Sequence, residues 1–226
     1  MAWKPWERAA ITAAVVVALG VESRVTFGSF TAEARNASSY ASGTLVLSDA
    51  KSGGTTCLST GGGTTDTNVN TGCDSVVGLT GLKPGDSASA NLTLKNVGSL
   101  PASAFTVRSA ACTDGDAAGE SYHGTGSMCG NVVLGIQQYS DAAFSVPSAC
   151  LYGGGTATTC AMTDTTKTLS AFRTAYPSAA SPKAIGSGLA AGTSAYVKVT
   201  VQLPSTADNT VQGRTASFDL TWHLDQ

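Results

Sequence analysis

The sequence predicts an all-β chain, a sandwich of short antiparallel strands, and three observations predict it. Runs such as SASANLTLKN (87–96) and AYVKVTVQL (195–203) alternate apolar and polar residues, the period of a strand with one buried face. Turn signals rich in Gly and Pro separate these runs. Charged residues make up 12% of the chain, about half the usual ~25%, and Thr, Ser, Ala and Gly fill the difference.

In chain order, residues 9–21 (AAITAAVVVALGV) form an uncharged apolar run between Lys4 and Arg8 on one side and Glu22 and Arg24 on the other. As a helix it spans only about 20 Å against a hydrocarbon core of ~30 Å, so it reads as an export signal. Small residues Thr26 and Gly28 place cleavage after Gly28. Residues 1–28 are then a removed signal, residues 29–42 a free N-terminal segment and residues 43–226 the sandwich domain. Contact with a membrane is expected only through the signal before cleavage, and the product is expected to be secreted, to a matrix or cell surface.

The stretch GSFTAEAR (28–35) alternates Phe30, Ala32 and Ala34 with Thr31, Glu33 and Arg35, yet no turn joins it to a neighbouring strand. Next come GTLVLSD (43–49) and LKPGD (82–86), where Pro84 and Gly85 occupy the central places of a type II turn. SASANLTLKN buries Ala88, Ala90, Leu92 and Leu94. The turn NVGSLPA then leads into FTV (105–107), which places those two strands side by side and antiparallel. NVVLGIQQY (131–139) is a further strand. TLSAFRTAY (168–176), with Leu169, Phe172 and Tyr176 on one face and Pro177 beyond, is the short helix. AYVKVTVQL buries Ala195, Val197, Val199, Val201 and Leu203, and TASFDLTWHL reads as one strand burying Ala216, Phe218, Leu220, Trp222 and Leu224.

Six cysteines lie beyond the signal. An even count in an exported chain argues for disulfides, of which six cysteines allow about 15 connectivities. Each consecutive pair brackets a Gly/Thr/Ser-rich stretch, so the favoured pairing is Cys57 with Cys73, Cys112 with Cys129 and Cys150 with Cys160. Local closure of such floppy insertions is worth roughly 3 kcal/mol each in the chain-entropy model.

Little in the sequence carries catalytic chemistry. A net charge of -2 leaves no electrostatic footprint for nucleic acid. Only His123 and His223 supply imidazole, and each reads as a solvated surface residue. No H-E-x-x-H, C-x-x-C or G-x-S-x-G occurs. Neither an enzyme nor a cofactor is therefore expected. Two calcium candidates are partial. Asp66, Asn68 and Asn70 follow the start of a calcium loop, but Thr71 and Val77 stand where Gly and the bidentate Glu belong. Asp114, Asp116 and Glu120 form a second oxygen set; both sets read first as solvated turn residues. Asn36 and Asn91 match the glycosylation acceptor triplet.

The succession Phe30-Thr31, Ser42-Gly43-Thr44-Leu45, Pro84-Gly85-Asp86, Lys95-Asn96-Val97-Gly98 and Asn209-Thr210-Val211-Gln212-Gly213 resembles the TasA and camelysin family of bacterial exported proteins, especially its actinobacterial branch. The resemblance covers both ends of the mature chain and not the cysteine-bearing middle, and Ala32 stands where the family usually has Asp. It implies a jelly-roll-like sandwich, to which the residues themselves add the short helix and the disulfide-closed loop insertions. It also implies a matrix or surface fibre subunit that polymerises by donor-strand complementation, with accessory matrix proteins as further partners. In that reading Ser29, Phe30, Thr31, Ala32, Glu33, Ala34 and Arg35 form the donated strand and the product is a head-to-tail homopolymer. A camelysin-type metallopeptidase is the enzyme alternative within the resemblance. A monomeric secreted or surface-anchored binding module is the alternative outside it.

Overall fold

The alternation of SASANLTLKN is realised as the central strand of a sandwich. A computed structural model describes residues 41–62, 68–78 and 80–226. Residues 42–226 form one compact unit. The expected signal, the donor segment 29–35, Asn36 and Asp66 lie outside the described residues.

Two sheets enclose one core. The larger is built from β1 (Leu47–Lys51), β2 (Thr56–Leu58), β3 (Ser87–Asn96), β6 (Val133–Tyr139), β7 (Pro147–Tyr152) and β11 (Ser194–Gln202), in the antiparallel order β2-β1-β3-β11-β6-β7. Facing it is the antiparallel sheet β10-β4-β13, from β4 (Ala104–Arg108), β10 (Lys183–Gly186) and β13 (Thr221–Asp225). Leu92, Leu94, Ile136 and Val197 of the first sheet meet Phe105, Val107, Trp222 and Leu224 of the second. Burial of each large apolar side chain contributes about 1.5–3 kcal/mol. The helix α2 (Leu169–Ala175) is capped by Thr168, whose hydroxyl accepts the Ala171 N–H at 3.2 Å, and it buries Leu169 and Phe172 as its spacing requires.

Four expectations are corrected. The first is the pairing of β3 with β4: β4 crosses to the facing sheet, and β3 lies between β1 and β11. A crossover lets the apolar faces of both strands meet across the core, which a hairpin in one sheet would not. The second is the reading of TASFDLTWHL as one strand. It divides into β12 (Arg214–Phe218) and β13, and its partner line divides likewise into β4 and β5 (Cys112–Asp116). At this double break the Asp219 carboxylate accepts from the Ser109 hydroxyl at 3.3 Å and from the N–H groups of Ala110 and Ala111 at 3.2 and 2.7 Å. Those donors lose their ladder partners at the break, and one carboxylate satisfies them together.

The third correction concerns the loop between Cys112 and Cys129, expected to be floppy. It contains β5 and the short helix α1 (Met128–Asn131), capped by the Ser127 hydroxyl. Asp and Gly are poor strand formers, so pairing with β12 overrides local propensity there. The fourth is the start of the first strand, which begins at Leu47 rather than at residue 43. Residues 43–46 are engaged elsewhere, as described next.

Disulfides join Cys57 to Cys73, Cys112 to Cys129 and Cys150 to Cys160. Three disulfides point to an oxidising, extracellular setting. Among the described residues no helix is long and apolar enough to cross a membrane.

Candidate assembly site

Two sequence motifs far apart in the chain form one clamp. The Thr44 carbonyl accepts the N–H groups of Ser99 and Leu100 at 2.9 and 3.0 Å, the Thr44 N–H donates to the Ser99 hydroxyl at 2.9 Å, and Val97 donates to the Val46 carbonyl at 2.9 Å. Gly98 is required there, because a Cβ would collide with the Thr44 carbonyl oxygen and stand 2.7 Å from the Val46 nitrogen. Below the clamp lies Asn96, fully buried at the end of β3. Its amide donates to the carbonyls of Leu100 (2.8 Å) and Leu189 (3.0 Å), and its oxygen accepts the Gly98 N–H at 3.0 Å. A buried amide costs several kcal/mol unless such partners are present, so Asn96 specifies how these three segments meet. Residues 42–46 are thereby held at one end of the sandwich, just after the segment expected to be donated.

At the opposite end of β3, Gly85 adopts φ +94 and the Asp86 N–H donates to the Lys83 carbonyl at 2.9 Å, as a type II turn requires. The turn is pinned to the end of β11 by Gly85 N–H to Leu203 carbonyl (2.8 Å) and Leu203 N–H to Asp86 carbonyl (3.0 Å).

The sheet edges differ in how well they are protected. β2 is three residues long and carries the bridged Cys57. β7 begins with Pro147, breaks register twice and is stapled by the Cys150 bridge. β10 is interrupted by a bulge between Ala184 and Gly186. Each of these devices discourages strand addition. β13 has none of them: its five residues run in unbroken register with β4, and no strand covers its outer side among the described residues. Trp222 and Leu224 point inward from this edge. The Trp222 indole N–H is buried without an acceptor among the described residues. Such an orphaned donor marks a place where a further carbonyl would be favourable.

The calcium candidates are distributed differently from expectation. Asn68 gives its amide to the Leu45 carbonyl. Asn70 donates to the Leu58 carbonyl (2.9 Å), and its oxygen accepts the Gly72 N–H (2.9 Å). Asp114 and Asp116 sit on β5 rather than in a turn. Asp114 accepts from the Ser127 hydroxyl (2.6 Å) and the Cys129 N–H (2.8 Å), while Asp116 pairs with the Arg214 guanidinium. Glu120 is exposed in the following turn. Among the described residues no three His, Cys, Asp or Glu side chains come together at metal-binding geometry.

The histidines are not merely solvated, as expected. His123 Nδ1 lies 2.7 Å from the Gly213 carbonyl and 3.9 Å from Asp116, and His223 Nε2 lies 2.8 Å from Asp225 on the exposed face of β13. Asp225 two residues on was the signal for the second pair, since that spacing shares a strand face. Asn91 of the second acceptor triplet lies half-buried within β3.

Sequence reasoning passed over Gln137. Its amide donates to the carbonyls of Gln138 (2.8 Å), Ala149 (2.9 Å) and Thr158 (2.8 Å), and its oxygen accepts the Cys160 N–H at 2.7 Å. One side chain thus fastens the Cys150–Cys160 loop onto β6. No family model and no curated protein matches this chain.

Proposed function

We propose that this chain is an exported structural subunit, a jelly-roll-like sandwich of the TasA and camelysin kind, that assembles head to tail into extracellular fibres by strand addition. Residues 29–35 of one copy would lie along β13 of the next. Phe30, Ala32 and Ala34 would face Trp222 and Leu224, with Thr31, Glu33 and Arg35 outward. The observation that carries this reading is the β13 edge, unprotected among the described residues, with its orphaned indole N–H. A strand added there gains a row of main-chain hydrogen bonds and buries alternate side chains. Donor and acceptor are different surfaces, so the contact does not close on itself and a filament grows.

Electron microscopy of the mature protein, with and without residues 29–40, tests the reading. Filaments are expected only when the segment is present, and filaments unchanged by its deletion would overturn it. Cysteines at Ala34 and Thr221 report the partner directly. A bridge between chains supports strand donation. A bridge within one chain replaces it with the monomeric module, whose N-terminal segment is its own edge strand.

A further inference from the structure

The outer face of the larger sheet carries an arrangement that neither packing nor strand addition uses. Tyr139 of β6 and Tyr196 of β11 are cross-strand partners on that face. Phe144 reaches over from the β6–β7 loop and packs edge-on against both, with ring centroids 5.6 and 5.8 Å away. All three side chains are only partly buried. Phe144 is the one non-glycine residue among those described with positive φ (+54), a conformation that costs about 1–3 kcal/mol and concentrates where function maintains it. The loop is built to hold it. The Asp141 carboxylate accepts from the Ser145 hydroxyl and the Val146 N–H, both at 2.8 Å.

Beside the aromatic cluster a cleft of about 150 Å³ opens under the Cys150–Cys160 loop, lined among others by Tyr139, Pro147, Thr159, Met162, Lys198 and Thr200. Lys198 follows Tyr196 on the same face, and no carboxylate pairs with it among the described residues. Outward positions on β3 are Ser87, Ser89, Asn91, Thr93 and Lys95; on β11 they are Ser194, Tyr196, Lys198, Thr200 and Gln202. None is acidic, although the chain as a whole carries a net charge of -2. The face therefore combines a rigid aromatic wall, a bed of hydroxyl and amide groups, and two ammonium groups. Tyrosine rings take the apolar face of a sugar, hydroxyls and amides take its hydroxyls, and an unpaired ammonium takes a carboxylate.

We propose that this face, from Tyr139, Phe144 and Tyr196 across Lys198 into the cleft, binds an acidic polysaccharide, with a sugar ring against the tyrosine pair and its carboxylate on Lys198. The inference is independent of strand addition, because β13 belongs to the facing sheet.

Calorimetric titration of the mature chain with oligogalacturonate, and with uncharged cello-oligosaccharides of equal length, tests it. The acidic oligomer is expected to bind at least about tenfold more tightly than the neutral one. Lys198→Gln and Tyr196→Ser should each weaken that binding about tenfold, whereas Lys83→Gln, in the turn before β3, should not. Absence of binding, equal affinity for the neutral oligomer, or affinity unchanged in Lys198→Gln would each overturn the proposal. Should Tyr196→Ser fail to fold, Lys198→Gln alone decides, since it replaces a partly exposed side chain without touching the core.

Discussion

The amide of Asn96 donates to the carbonyl oxygen of Leu189 at 3.0 Å, joining the last residue of β3 to the segment that precedes β11 from inside the protein. The same amide satisfies Leu100, so one buried side chain holds the crossover between the two sheets together. Replacing Asn96 with Ala leaves two carbonyls and the Gly98 N–H without those partners. A loss of about 2–4 kcal/mol is expected, read as a lower midpoint of urea unfolding with an unchanged slope. A variant as stable as the parent would show that water replaces the amide at no cost.

Gly98→Ala acts on the clamp rather than on the core. The added methyl meets the Thr44 carbonyl and the backbone of residues 45 and 46, which must move away. Hydrogen exchange at Ser99 and Leu100 should therefore accelerate, while the amides of β3 and β11 keep most of their protection. Uniform acceleration across the sandwich would mean that the clamp and the core are one cooperative unit.

Asp49 faces the same side of β1 as its cross-strand neighbour Leu94, and its Oδ1 is buried with no partner among the described residues. Burial pushes its pKa up from 3.8 to about 6. The folded state then binds the proton more tightly than the unfolded chain. Stability from this group is full below pH 3.8 and is lost as the pH rises through about 6. The loss is about 2 kcal/mol after allowance for partial solvent screening. Asp49→Asn should remove this loss, so the variant should melt higher than the parent at pH 7 and match it in acid. Asp141 runs the other way. The Val146 N–H, then the Ser145 hydroxyl, hold its carboxyl below the usual range, so its hold on the Phe144 loop is present above the unfolded pKa and lost as the pH falls. Melting curves across pH for the parent and Asp49→Asn separate the two trends.

Gln137→Ala tests whether the Cys150–Cys160 loop is held by its bridge or by the amide. Four hydrogen bonds go with that side chain, and a cost of about 2–4 kcal/mol is expected. Limited proteolysis of the oxidised variant should then cut within residues 154–160. Resistance equal to the parent's would assign the loop's order to the disulfide.

The period-two pattern was sufficient for β3 and β11, because a strand with one face on a core must alternate, and these two do so without Gly or Pro breaking the phase, whereas β6 is buried over five consecutive residues and shows no such alternation. Spacing likewise marked α2 through Leu169 and Phe172, though its Thr168 cap was passed over, and chain proximity favoured joining each cysteine to its neighbour. Which strands share a sheet was not legible in the sequence. Val107 and Leu92 look alike as apolar strand residues, yet they belong to opposite layers. That choice depends on faces that meet only when the core closes. Nor did composition reveal β5, the break at Asp219, or the duties of Asn96 and Gln137. Local pattern reports which face of a segment avoids water; only the assembled sandwich decides which segments meet, because hydrogen-bond partners distant in the chain exist only after both sheets have packed.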